Sequence, residues 1–66
     1  MTISEFTKPE LDHFRNNCNF TILEFELFNR RAKGVSLEHI AEELSISVDY
    51  ARKISQKVNR KILKVI

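Results

Sequence analysis

The feature that most constrains this chain is the run Ser45-Ile46-Ser47, which leaves only three residues between two strongly patterned helices. Upstream, Ser36 supplies the side-chain oxygen that a helix N-cap requires, and Val35 before it can staple onto Ile40. A helix is expected over 37–44, with Leu37, Ile40, Ala41 and Leu44 on one face and Glu38, His39, Glu42 and Glu43 on the other. Ser47 is a second N-cap, with Ile46 and Ala51 as its staple pair, so a new helix begins at Val48. There Ala51, Ile54, Val58, Ile62 and Val65 recur at steps of three and four, a stripe that the rest of the chain must cover. Asp49, Tyr50, Arg52, Lys53, Gln56, Lys57 and Arg60 are left on the open face. So short a link forces a sharp crossing, and Ala41 and Ala51 are small enough to let the two helices approach closely. This is the pattern of a helix-turn-helix.

The preceding residues read as two further helices. Thr7 and Glu10 form a capping box with Pro9 in the first turn, which opens a short helix to about Asn17. Its apolar residues Leu11, Phe14 and Cys18 are too few to stand alone, so it must lie on its neighbours. Thr21 and Glu24 make a second box, with Phe20 and Phe25 as its staple, and open a helix to Lys33. Gly34 suits the left-handed position that ends it. Residues 1–7 carry no periodic pattern and are expected to form a loosely docked arm. The expected fold is all-α: one helix-turn-helix domain over 8–66, with four helices at about 8–17, 21–33, 37–44 and 48–65.

Sixty-six residues allow one small domain, and the 42% of apolar residues suffice for a single core. One Gly and one Pro argue against a fold with many tight turns. Cys18 is alone, which excludes an internal disulfide and a cysteine-based metal site; burial as a small apolar residue is the favoured reading. His13 and His39 lack metal-ligand spacing, and there is no Gly-rich phosphate loop or recognisable nucleophile. No enzyme, metal or cofactor is expected. No stretch is apolar for long enough to span a bilayer, and the chain does not begin with a basic segment followed by an apolar one. A cytoplasmic protein is expected.

The net charge of +2 is unevenly distributed. Residues 1–44 hold five Lys or Arg against eight Asp or Glu, a net −3, whereas residues 45–66 hold six against Asp49 alone, a net +5. Such asymmetry points to a polyanionic partner for the basic half; a solvated helix face is the competing explanation.

The segment from about Phe20 to Ile62 resembles region 4 of bacterial sigma factors and, nearly as well, the LuxR/GerE type of DNA-binding domain. The resemblance rests on Arg31–Ser47, RAKGVSLEHIAEELSIS, followed near the end of the last helix by Arg60-Lys61-Ile62. It implies double-stranded DNA as partner, with the helix from Val48 in the major groove. In that setting Arg52 can pair with guanine, Gln56 with adenine, and Asp49 can accept from the cytosine amino group. The sigma pattern itself carries an acidic residue at Asp49 and an Arg at Arg52, both implied to read bases, and Lys53 occupies another base-facing position. Val48 can touch a thymine methyl and Tyr50 a phosphate, though both stand where sigma factors have long basic residues and would equally serve a protein surface. Ser36, Ser47, Lys57, Arg60 and Lys61 complete the expected phosphate contacts. Ser45 occupies a turn position where the family prefers Gly, so a left-handed residue under strain is expected there.

A single domain of this size buries little DNA, so a homodimer is expected, with Ile62, Val65 and Ile66 at the overhanging end of the last helix as its contact. The small size fits a transcription regulator of a phage or mobile element. Leu23 and Phe25 fall where the family is usually polar; cover by the first helix is favoured over an exposed patch for a partner. The alternative function is a protein-binding adaptor or inhibitor, with RNA polymerase or a repressor as partner, that keeps the fold without binding DNA.

Overall fold

In the computed structural model, which describes residues 3–66, every α-helix opens on a hydroxyl side chain. The Thr7 amide donates to Glu10 Oε1 at 2.8 Å while the Glu10 amide donates back to Thr7 Oγ1, and this reciprocal pair starts α1, Lys8–Asn17. Thr21 and Glu24 repeat it at the start of α2, Ile22–Ala32. Ser36 Oγ accepts from the His39 amide at 3.2 Å and Ser47 Oγ from the Tyr50 amide at 3.1 Å, opening α3, Leu37–Leu44, and α4, Val48–Val65. Each cap satisfies an amide that the helix itself cannot. A 3-10 turn, Ile3–Glu5, precedes them, and no strand occurs among the described residues. The described residues are thus all-helical, with four α-helices.

The two helix ends that matter most rely on left-handed residues. Gly34, at φ +85°, follows α2, and its amide donates to the Arg31 carbonyl at 2.9 Å. Ser45, at φ 57° and ψ 43°, ends α3. It lets Ile46 donate back to the Ala41 carbonyl at 3.0 Å, so only three residues separate the end of α3 from the start of α4. Ala41 and Ala51 are both buried, and α3 and α4 pack directly on one another.

Helix α4 is the centre of the fold, packed on α1, α2 and α3. Ile54, Val58 and Ile62 meet Phe14, Leu27, Phe28 and Ile40 in one core cluster. Phe28 is fully buried, with the Phe20 ring 5.1 Å away and the Arg15 guanidinium 5.6 Å from its centroid. Burying such a ring contributes about 2–3 kcal/mol.

Four expectations need correction. The arm is not loose where it is described: Ile3 is only 3% exposed within the core, and Phe6 meets Phe14 edge-on at 4.8 Å. A single apolar residue outside any repeat leaves no periodic signal, although burial of one Ile is enough to hold a turn. Met1 and Thr2, the first part of that arm, lie outside the described residues. Phe25 is not covered by α1, since it stays 40% exposed while Phe20 stacks on Phe28. Leu23 is half-buried and lines a groove with Tyr50 and Ile54 of α4 rather than lying under α1. Ile62, expected in a self-contact, is 0% exposed. The end of α4 is met by α1, with His13 Nε2 3.4 Å from the Val65 carbonyl oxygen, while Ile66 stays 74% exposed.

Candidate nucleic-acid interface

The outward side of α4 follows from its burial stripe. With Ala51, Ile54, Val58 and Ile62 turned inward, Asp49, Lys53, Gln56 and Arg60, spaced by four, three and four, share the opposite face. All four are exposed, as are Tyr50, Arg52 and Lys57, and Val48 is half-buried. Of the sequence-predicted base-reading set, then, Asp49, Arg52, Lys53 and Gln56 are presented to solvent on one helix. Asp49 is its only acidic residue, and its Oδ1 lies 3.3 Å from Arg52 Nη1, an exposed i,i+3 pair of little energetic weight. Among the described residues Lys53, Lys57 and Arg60 form no ion pair or side-chain hydrogen bond, whereas Arg30 is held by Glu26 and Glu43 and Arg15 by Asp12. The free cations are therefore concentrated on α4.

Ser36 and Ser47 are exposed at the starts of α3 and α4. Each hydroxyl oxygen accepts the capping amide, which leaves its O–H able to donate to an external acceptor. Tyr50, Lys53, Gln56, Lys57 and Arg60 also line a groove of about 420 Å³ between α4 and the first turn of α2, where Thr21, Leu23 and Glu24 form the other wall. The groove brings together residues that sequence spacing alone had divided between bases and phosphates. Thr21 and Leu23 were not foreseen in it, because their approach to α4 is a tertiary contact across some thirty residues.

Lys61 departs from its expected role. Its Nζ donates to Glu24 Oε1 at 2.5 Å and to the Asn19 carbonyl at 2.6 Å, so the ammonium ties α4 to the start of α2 instead of facing outward. The match to a basic pair near the end of the helix placed Lys61 beside Arg60, but adjacent helical residues point about 100° apart, and this one turns inward. Glu24 is almost fully buried. Burial alone would raise its carboxyl; the Lys61 ammonium and the Thr21 amide outweigh that and hold it below the usual carboxylate value. Cys18, buried nearby, has its thiol pushed up by burial, with Lys61 opposing. An inert thiol results.

Among the described residues no three His, Cys, Asp or Glu cluster as a metal site would require, and no helix is long and apolar enough to cross a membrane. Comparison with known families, with curated proteins and with solved structures finds no match.

Proposed function

We propose that this chain binds double-stranded DNA sequence-specifically as a small transcription regulator, with α3 and α4 as a helix-turn-helix of the sigma region 4 or LuxR type and α4 in the major groove. The observation that carries the reading is the outward face of α4, where Lys53, Lys57 and Arg60 stand exposed and without acidic partners beside Gln56 and Arg52. A solvated surface helix on a small domain normally alternates charge signs along its face; this one carries a single carboxylate. Lys57 and Arg60, with the hydroxyls of Ser36 and Ser47, hold phosphates, and Asp49, Arg52, Lys53 and Gln56 reach base edges.

Phosphate neutralisation has a signature that an apolar protein interface lacks. If Lys57 and Arg60 neutralise two phosphates, log affinity falls with log salt at a slope of roughly −1.8, about twelvefold between 50 and 200 mM salt. Fluorescence anisotropy of a labelled random-sequence duplex measures this directly. Lys57→Ala lowers the slope by about 0.9 and weakens all sequences alike. A folded protein that leaves the duplex free at low salt would contradict DNA binding.

A further inference from the structure

We propose that the groove between the first turn of α2 and α4 is a docking site for an acidic amphipathic helix of a partner protein, which competes with DNA for α4. The competition, though not the docking, rests on the DNA-binding reading above.

Three observations fit this occupant. The groove combines cations with apolar surface: Lys53, Lys57 and Arg60 stand beside Leu23, Ile54 and the half-exposed Tyr50 ring. Ile22, outside the groove wall but next in sequence to Thr21 and Leu23, adds an apolar side chain 86% exposed at the start of α2. The only carboxylate in the groove, Glu24, is already neutralised by Lys61, so it does not repel an incoming acid.

Spacing argues for a helix. Lys53, Lys57 and Arg60 follow each other at four and three residues, a rise of about 10 Å along α4. Carboxylates at the same spacing on a second helix laid alongside meet all three, while its apolar stripe rests on Leu23 and Tyr50. A phosphodiester backbone satisfies the same cations but leaves the apolar wall against water. Charge and apolar surface together therefore favour an acidic peptide in the groove over nucleic acid. Lys53, Lys57 and Arg60 would serve both ligands, so the two exclude each other and the partner acts as a regulator of DNA occupancy.

A library of helical peptides displayed on phage and selected on the full chain tests this. Enriched peptides should carry Asp or Glu at steps of three and four interleaved with Leu, Ile or Phe. Their affinity should drop more than about tenfold with Lys57→Glu, which sets like charges together, and also drop with Tyr50→Ala. Both positions are exposed, and an unchanged thermal melt by circular dichroism confirms that the variants fold. Absence of enrichment, peptides that ignore both substitutions, or purely acidic peptides without apolar residues would overturn the proposal. Duplex binding by the same wild-type protein separates the two claims. Peptides that bind and displace a duplex support both. Peptides that bind a protein with no affinity for duplex at low salt support the docking and remove the competition. Duplex binding with no selectable peptide overturns the docking alone.

Discussion

Ser45 and Gly34 are the two left-handed residues of the described chain, and they set opposite expectations. For Ser45 the left-handed backbone brings its Cβ close to the following carbonyl, at a cost of about 1 kcal/mol. Ser45→Gly relieves that strain but frees the unfolded chain, so the net gain is about 0.5 kcal/mol and melting rises by a few degrees. A lower melting temperature would count against strain at that turn. Gly34→Ala places a methyl in open space, with no atom within 4 Å, yet at φ +85° it lowers stability by about 1 kcal/mol. Urea denaturation of this variant checks that backbone conformation, not crowding, selects Gly there. Both positions were legible in the sequence. Gly34 follows an amphipathic run that must stop, for which a left-handed residue is the common device, whereas Ser45 was marked by the resemblance, which puts Gly at that turn.

The helices themselves were legible for the same local reason. A capping box needs only residues three apart, and an apolar stripe only a few turns, so Thr7 with Glu10, Thr21 with Glu24, Ser36 and Ser47 give helix starts without reference to the rest of the fold. The packing of α3 on α4 was legible from the small residues Ala41 and Ala51, but the link between α2 and α4 was not. Glu24 reads as a capping residue and is one, but the same oxygen also accepts from Lys61, 37 residues away on α4. This pair predicts an acid sensitivity. Because the folded Glu24 carboxyl lies below its unfolded value, about 4.3 for an ordinary Glu, its contribution is fully present above that pH. It is lost as pH falls through the folded value. Glu24→Gln should lower stability at neutral pH by about 1–3 kcal/mol and flatten the fall between neutrality and acid, as read from denaturation at several pH values. An equally steep acid loss in the variant would place the sensitive carboxylate elsewhere. Ile3 teaches the same lesson. Its burial against α2 leaves no periodic trace, and Ile3→Ala should cost about 2–4 kcal/mol in the same assay, whereas a loose arm would lose nothing.

At the scale of the molecule, α4 performs two tasks with two faces. Its inner stripe joins α1, α2 and α3 around one core in a molecule about 29 by 19 by 18 Å, and its outer face keeps unpaired cations in solvent. The partition explains why the candidate site was only partly legible. Periodicity separates inner from outer residues well, so Asp49, Arg52, Lys53, Gln56, Lys57 and Arg60 all emerge exposed. Positions near the boundary depend on which neighbour packs there: Lys61 is drawn inward by Glu24, and Tyr50 is shared with the Leu23 groove. The wall supplied by Thr21 and Leu23 exists only once α2 lies on α4. The central claim is that side chains of α4 read base edges. Selection of bound duplexes from a random pool, with wild type and Arg52→Ala run side by side, tests it most directly. An enriched motif that Arg52→Ala relaxes at one guanine, with a loss of about 1–3 kcal/mol there, is the result predicted. A motif identical in both proteins, or no motif from the folded wild type, would contradict base reading by α4.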